Sequence, residues 1–226
     1  MKLWGRLLVV ALVSVLSTSV LPAFAEDPPP SVAAHTNKSI YVAGQTADVS
    51  VTVSNAGAST HLKVVARFAN HTSKVLDDTS VYSGTKHYAV YMYIDTKIDV
   101  YVADATSPSQ TLSLPVRAQL QSAIAGYYQQ SGSYAVFATT AHPTFRSDTT
   151  PARKYRCIKH EVWRKESTTW KVVGLSACKY ENSNGVVTWQ WTGKHSSGVH
   201  YRVRARFFGD SLNHANSGKF IYFTFK

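Results

Sequence analysis

This chain of 226 residues shows no helical periodicity after its first 25 residues and no catalytic signature. It has few cysteines and, in its second half, few acidic residues. It contains no Gly-x-Ser-x-Gly motif and no glycine-rich phosphate loop that follows a strand. His160-Glu161 begins like a His-Glu-x-x-His zinc motif, but Arg164 stands where the second histidine belongs. We therefore expect a protein that is not an enzyme and that needs no metal and no cofactor.

Cysteine is scarce: Cys157 and Cys178 are the two cysteines of the chain. So low a number excludes a disulfide-dense scaffold, and no histidines accompany the pair at the spacing of a zinc site. In an oxidising compartment, the pair predicts one structural disulfide between Cys157 and Cys178.

Long apolar runs are absent after residue 25. Before it, Lys2 and Arg6 precede an apolar run at residues 7–20, and Ala23-Phe24-Ala25 has the small-x-small form of a cleavage site. We expect residues 1–25 to be a cleaved signal peptide and residues 26–30 to be a Pro-rich leader. The mature protein is then secreted and extracellular, without a transmembrane segment.

Acidic residues are depleted in one half of the chain. Residues 26–116 hold six Lys and Arg against eight Asp and Glu, whereas residues 117–226 hold sixteen against five. Such asymmetry predicts two domains, residues 31–116 and 117–226, with an anionic partner for the second. In an exported protein, that partner is expected to be an anionic cell-envelope polymer or another protein. Nucleic acid is not favoured, and no small-molecule substrate is expected.

What the chain does contain is a series of short alternating segments, separated by Gly, Asn, Asp, Ser and Pro. This pattern predicts an all-β protein of two tandem antiparallel β-sandwiches. In the first half we predict strands at residues 48–53, 62–68, 87–94, 98–103 and 111–116, with a turn at Asp77-Asp78. In the second half we predict them at residues 134–139, 154–165, 170–179, 186–192, 199–208 and 219–225.

The segments 154–165 and 170–179 suggest a hairpin that turns at Ser167-Thr168. Without a bulge, this register places Cys157 opposite Cys178 and Trp163 opposite Val172, so that the disulfide staples the two strands. It also pairs Val162 with Val173, Ile158 with Ala177 and His160 with Leu175. One face then collects the apolar residues Ile158, Val162, Val173, Leu175 and Ala177.

Residues 199–207 alternate strictly between apolar and basic side chains. If the odd positions face the core, His200, Arg202, Arg204 and Arg206 form a basic ridge on the outer face of the sheet. The ridge is a candidate surface for an anionic ligand. The alternative is that the arginine stems cover the apolar sheet while the charged ends remain in water.

Trp163 and Trp170 are predicted to lie on the outer face of the disulfide hairpin. Beside lysine and arginine stems, they are a candidate stacking surface for a ligand such as a sugar. The alternative is that they pack over the disulfide and shield it. Of Trp189 and Trp191, at least one is expected in the core.

The sequence contains two weaker candidates for ion sites. His195, His200 and His214 would have to meet at one end of the second sandwich to bind a transition metal. Asp210, with Asn213 and Asn216, supplies one carboxylate, which favours a hydrogen-bonded turn over a calcium site.

The segment GVHYRVRARFFGDSLNHANSG, residues 198–218, resembles the penultimate strand and last loop of bacterial immunoglobulin-like modules. FIYFTFK resembles their final strand, and KVVARF with YVADATSPSQTLSLPV resembles a fibronectin-III-like or immunoglobulin-like module. Tandem modules of this type are common in secreted proteins of Gram-positive bacteria, particularly actinobacteria. The resemblance implies a binding, spacer or adhesion protein of the cell envelope, and it transfers no catalytic residue.

The alternative function is a secreted inhibitor or a protein-partner adhesion module. An inhibitor needs an exposed loop that enters an enzyme cleft, and residues 141–151 are the candidate. Pro143 and Pro151 would stiffen that loop, and Arg146 would anchor it in the cleft.

Overall fold

The structure is a computed structural model that describes residues 28–57 and 59–226. The predicted signal peptide and the start of the leader lie outside the described residues. The described part consists of strands, turns and loops arranged in several sheets, so the predicted all-β sandwich fold is confirmed. No helix able to cross a membrane is found in that part.

Eight strands are described in the first half: β1 (Ser31–Thr36), β2 (Tyr41–Val42), β3 (Gln45–Ser54), β4 (Thr60–Phe68), β5 (Ser73–Val81), β6 (Gly84–Met92), β7 (Thr96–Val102) and β8 (Gln110–Leu114). Two sheets, with strand orders β1-β3-β6 and β5-β4-β7-β8, enclose one apolar cluster. We call this unit the first sandwich. Its alternation follows the sequence: Val49 and Val51 of β3 are fully buried, and so is Met92 of β6.

The turn predicted at Asp77-Asp78 is wrong, because both residues lie inside β5. Asp78 pairs with Lys63 across β4, at 3.2 Å between Nζ and Oδ2. Asp77 accepts hydrogen bonds from Lys86 and Tyr88 of β6. Ion pairs and hydrogen bonds from two other strands therefore outweigh the turn preference of the Asp-Asp pair.

Twelve further strands are described: β9 (Val116–Arg117), β10 (Gln119–Ala125), β11 (Gln129–Ser131), β12 (Tyr134–Phe137), β13 (Thr144–Thr150), β14 (Cys157–Glu166), β15 (Thr169–Leu175), β16 (Lys179–Tyr180), β17 (Val186–Gln190), β18 (His200–Phe207), β19 (Asn216–Ser217) and β20 (Ile221–Phe225). One sheet has the order β10-β13-β17, and the other has the order β11-β12-β20-β18-β14-β15. We call this unit the second sandwich. Within it, β12 runs parallel to β20, with Tyr134 opposite Tyr222 and Phe137 opposite Phe225.

The β14–β15 hairpin follows the predicted register near its turn and departs from it further on. Trp163 lies opposite Val172, as predicted, but a bulge between Val162 and Trp163 shifts the rest. Val162 therefore pairs with Gly174, and the predicted Val162–Val173, Ile158–Ala177 and His160–Leu175 pairs are wrong. The shift also leaves Leu175 58% exposed, so its predicted place on one apolar face with the buried Ile158 and Val162 is wrong as well.

The disulfide between Cys157 and Cys178 is present, with the two Cα atoms 5.1 Å apart. The two residues are not directly opposed, because Cys157 pairs with Tyr180 of β16. The crosslink thus joins β14 to the short link between β15 and β16. The pairing prediction holds, whereas the predicted register around it does not.

Residues 141–151 do not form the exposed loop that the inhibitor hypothesis requires. Most of them belong to β13, the central strand of its sheet, where Phe145 is 1% exposed and Ser147 is fully buried. Arg146 lies on the solvent side of that strand and pairs with Asp148. The predicted loop is therefore wrong, because TFRSDTT alternates with period two despite its polar composition.

The two sandwiches contact each other through the link at residues 116–117 and the loop between β18 and β19. β9 runs parallel to β2, and the amide of Asp95 donates to the carbonyl of Leu212 at 2.8 Å. The side-chain amide of buried Asn213 donates to the carbonyl of Tyr93 at 2.8 Å. β9 itself spans the predicted boundary between residues 116 and 117, which stays a prediction.

Candidate binding surface

Strand β18 presents two chemically different faces, as its alternation predicts. Tyr201, Val203 and Ala205 are at most 1% exposed and pack into the core. The residues between them, His200, Arg202, Arg204 and Arg206, point out of the opposite face and are half-buried. A strand of this pattern can lie in the middle of a sheet because its charged positions all avoid the core.

Two of the arginines share one carboxylate. Arg204 Nε lies 2.9 Å from Glu161 Oε2, and Arg206 Nη1 lies 2.7 Å from Glu161 Oε1. Glu161 stands opposite Arg204 in the register of β14 and β18, so the strand pairing itself brings these groups together. Burial alone would raise the pKa of Glu161, but the hydrogen bonds from Arg206 and Arg204 outweigh it and hold the pKa below its ordinary value.

The third arginine is enclosed by aromatic rings. Arg202 Cζ lies 3.9 Å from the ring centre of Phe220, 4.4 Å from that of Trp170 and 5.2 Å from that of Trp163. Cation–π attraction of this kind stabilises the guanidinium over the rings, by about 1 kcal/mol per contact at a half-exposed site. Trp163 contacts Arg202 and Phe220 near one end of β14, whereas the disulfide lies at the other end.

The structure therefore brings the predicted ridge and the predicted stacking surface together. We call this region, formed by Trp163, Trp170, Arg202, Arg204, Arg206 and Phe220, the arginine–tryptophan face. It extends past Arg206 to Phe208, over whose ring Arg206 Cζ lies at 4.9 Å and Lys159 Nζ at 5.5 Å. Against these four cations the same face carries Glu161, so its net charge is positive.

Of the predicted residues, His200 lies apart from this aromatic cluster. Its ring contacts that of Tyr134 of β12 in a tilted arrangement, with the ring centres 4.4 Å apart. It is thus on the same sheet face but belongs to a separate contact. The sequence does not predict that Phe220 joins this face, although FIYFTFK has the pattern of a strand. Which of its side chains lie beside those of β18 depends on how the two strands pair, and the sequence does not show that pairing.

The structure does not bring the three weaker histidine candidates together. His195 stacks on Phe225 with ring centres 3.7 Å apart, and His214 approaches Asp95 of the first sandwich. In residues 28–57 and 59–226, no group of three or more His, Cys, Asp or Glu side chains is placed to hold a metal. Asp210 accepts hydrogen bonds from the amides of Leu212 and Asn213, as expected for a turn.

One pair has the contact geometry of a nucleophile and its base. Ser147 Oγ lies 2.9 Å from His160 Nε2, but the two residues are 0% and 1% exposed and face the core. Burial, assisted by the charge of Lys179, lowers the pKa of His160 to about 4. A buried neutral histidine that bonds a buried hydroxyl holds the two sheets together and offers no access to a substrate.

Trp191, which follows the end of β17, is buried, as predicted for at least one of Trp189 and Trp191.

No protein-family model matches this chain, and no curated protein sequence matches it.

Proposed function

We propose that the protein is an exported, non-enzymatic binding or spacer protein, and that it binds an anionic polymer through the arginine–tryptophan face. One observation carries the proposal: three arginines and two tryptophans share one half-exposed sheet face with one carboxylate, Glu161. The half of the chain that holds this face carries a net charge of +11. Export rests on residues 1–25, whose sequence has the form of a signal peptide.

The strand orders support immunoglobulin-like or fibronectin-III-like modules. In order of appearance, the first, second and fifth long strands form one sheet in both sandwiches, namely β1-β3-β6 and β10-β13-β17. The third, fourth, sixth and seventh form the other, namely β5-β4-β7-β8 and β15-β14-β18-β20. In immunoglobulin-like modules the first, second and fifth strands likewise share one sheet, and the placement of the fourth strand beside the third is a variation on the constant-type arrangement. The disulfide departs from antibody domains, because it does not join the two sheets.

The spacing of the face suits a repeating ligand. Alternate side chains along a strand are about 7 Å apart, so Arg202, Arg204 and Arg206 present charges at regular intervals across a broad surface. Trp163 and Trp170 add ring surfaces on which sugars or other flat groups stack. A polymer of anionic sugars or of phosphate-linked units would meet both features at once. In the envelope such polymers include teichoic acids and acidic polysaccharides.

Glu161 gives the proposal a directional test. In the free protein it competes with any anionic ligand for Arg204 and Arg206. If the face binds polyanions, Glu161→Gln releases both guanidinium groups, which are partly exposed, and strengthens binding by about threefold. If the arginines merely cover the sheet, Glu161→Gln changes stability and leaves polymer binding unchanged.

The experiment measures binding of the mature chain to polyphosphate, poly(glycerol phosphate), polygalacturonate and neutral dextran, from ~50 to ~300 mM salt. We expect salt-sensitive binding of the anionic polymers and no binding of dextran. A variant with Arg202, Arg204 and Arg206 changed to Gln, combined with Glu161→Gln so that no carboxylate is left buried alone, should bind at least about tenfold more weakly. Lys194→Gln removes an exposed charge elsewhere in the same sandwich and serves as the matched control.

Equal binding by the wild type and the multiple variant would contradict the proposal. Binding that ignores salt, or that extends to dextran, would likewise place the interaction elsewhere. The loop that was the candidate for the inhibitor alternative is not one, since Thr144–Thr150 within residues 141–151 form β13. If the wild type bound none of the polymers but did bind another protein, the adhesion-module alternative would be favoured.

A further inference from the structure

A cleft of about 540 Å³ opens beside the contact between the two sandwiches. Its apolar lining comes from the end of β4 and the residue after it, Phe68 and Ala69, and from the end of β8 and the residue after it, Leu114 and Pro115. His214 of the second sandwich closes one side. This volume falls within the range of ~300–1,000 Å³ that is typical of small-molecule sites, which often lie between domains.

The walls of the cleft are held by hydrogen bonds that involve both sandwiches. The amide of Ala69 donates to the carbonyl of Asp95 at 2.9 Å, which fixes the turn after β4. Asp95 Oδ1 accepts from the amide of Val116 at 2.6 Å, and Asp95 Oδ2 lies 3.3 Å from His214 Nε2. The cleft is therefore already shaped in the free protein, so that binding does not have to order its walls.

The polar lining of the cleft is basic. Arg67, Lys97, His71 and His214 line it, and the one carboxylate among the lining residues is Asp95. Asp95 is engaged by Val116 and His214, and Arg67 is engaged by Asp99 through Nε. Lys97 is exposed and forms no ion pair within the described ranges, so its ammonium group is free to meet a ligand.

We propose that this cleft binds a free small molecule that has an apolar body and one anionic group. The apolar body would cover Phe68, Ala69, Leu114 and Pro115, and the anionic group would lie at the rim beside Lys97. Such a molecule is not the polymer proposed for the second sandwich, because the cleft shares no residue with the arginine–tryptophan face. Since His214 and Leu114 come from different sandwiches, the bound molecule would also strengthen the contact between them.

The test uses two fluorescent probes with the same aromatic body. One is 8-anilino-1-naphthalenesulfonate, which carries a sulfonate, and the other is neutral N-phenyl-1-naphthylamine. Each is titrated into the full mature chain, and into its Ala69→Trp, Lys97→Gln and Lys194→Gln variants. Ala69→Trp fills the cleft while keeping its backbone hydrogen bond, and a thermal unfolding curve establishes that each variant is folded.

We expect saturable binding of the sulfonate probe to the wild type, and a loss of at least about tenfold in Ala69→Trp. Lys97→Gln should weaken the sulfonate probe by about three- to fivefold and leave the neutral probe unchanged. Lys194→Gln should resemble the wild type with both probes.

Two results would overturn the proposal. If Ala69→Trp, once folded, binds the sulfonate probe as the wild type does, or if the wild type shows no saturable binding, the cleft is not the site. If Lys97→Gln weakens both probes equally, or neither, the preference for an anionic group is wrong. Neither result bears on the polymer proposal, in which the residues changed to weaken or strengthen binding lie on β14 and β18.

Discussion

Strands β7 and β18 hold the same position in their sandwiches, each in the sheet between the third long strand and the last. Their inward residues are equally buried: Ile98 and Val100 in β7, Val203 and Ala205 in β18. Their outward residues differ, because β7 places Asp99 between Lys97 and Tyr101, whereas β18 places three arginines in succession. Inward positions are constrained by packing, and the outward ones are free to carry a different chemistry in each sandwich.

The neighbouring strands accentuate that difference. Asp99 binds Arg67 of β4 through Nε and accepts a hydrogen bond from Thr111 of β8, so this carboxylate and this guanidinium neutralise each other. Lys97 of β7 forms no ion pair in the described part of the chain. Around β18, Glu161 forms ion pairs with both Arg204 and Arg206, and Arg202 lies over aromatic rings. The same architecture thus gives a face of mixed charge in the first sandwich and a face with an arginine cluster in the second.

The sandwiches also differ in the crosslinks and buried polar contacts that stabilise them. The second contains the disulfide and a buried arginine, Arg156, whose guanidinium bonds Asp210, Asn213 and the carbonyl of Pro151. Tryptophan fluorescence can separate the two units, because residues 31–116 contain no tryptophan whereas residues 117–226 contain four. Measurements that combine it with circular dichroism can test the contrast between the sandwiches.

The largest effect is expected from Arg156→Met. Arg156 is 4% exposed, and the substitution leaves Asn213 and the carbonyl of Pro151 without their donor inside the protein. Breaking a buried charged network of this kind costs about 3–5 kcal/mol. The free energy of unfolding, followed by tryptophan fluorescence in urea, should fall by this amount.

Arg67→Met is the matched substitution in the first sandwich, where the arginine is exposed. It should leave the tryptophan transition in place. If Arg156→Met also left that transition in place, the hydrogen bonds of Arg156 would not stabilise the second sandwich. The two sandwiches would then not differ in this respect.

The next effect is expected from removing the disulfide. Cys157 and Cys178 are 21 residues apart in sequence, and a crosslink over such a loop stabilises the fold by about 3 kcal/mol in the chain-entropy description. Replacing both with serine should shift the tryptophan transition in urea and make it insensitive to reductant. A reductant that left the wild-type tryptophan transition unmoved would show that the crosslink adds little.

The smallest effect is expected from acid. The pKa of His160 is about 4 in the folded protein and ~6.5 in an unfolded chain, so the unfolded state binds more protons between those values. The stability contributed by neutral His160 is therefore fully present above about pH 6.5 and falls by about 2–3 kcal/mol as the pH drops towards 4. Urea unfolding by tryptophan fluorescence across this range measures the slope, which His160→Gln should remove.

The first sandwich should weaken in a lower window. Burial alone would raise the pKa of Asp77, but hydrogen bonds from Lys86, Tyr88 and Thr79 outweigh it and lower the pKa to about 2. The stability contributed by Asp77 is present above about pH 4 and is lost as the pH falls towards 2. A common acid transition for both sandwiches above pH 4 would contradict this separation.

Sequence patterns predicted the parts of the fold that repeat with period two. The alternation of β18 located its core and its outward arginines, and the Ser167-Thr168 turn fixed the register near Trp163. The same patterns placed Trp163 and Trp170 on the outer face. These features are local, since each depends on a strand or on one hairpin.

The remainder depends on contacts between residues that are distant in sequence. The bulge at Val162 left no sequence signal, and it reversed the predicted place of Leu175. Asn213 reaches Tyr93 across 120 residues, so no local pattern could reveal the contact between the sandwiches. The shared use of Glu161 by two arginines likewise follows from the register of β14 against β18, which only the folded sheet defines.

The parallel pairing of β12 with β20 has a mechanical consequence. β12 precedes β20 in the chain and the two run parallel, so a force that pulls the start of β12 away from the end of β20 slides these two strands past each other. Their interstrand hydrogen bonds are then loaded in shear and share the load, instead of opening one after another. A unit built in this way resists extension between those two strand ends more than one whose strands separate one hydrogen bond at a time.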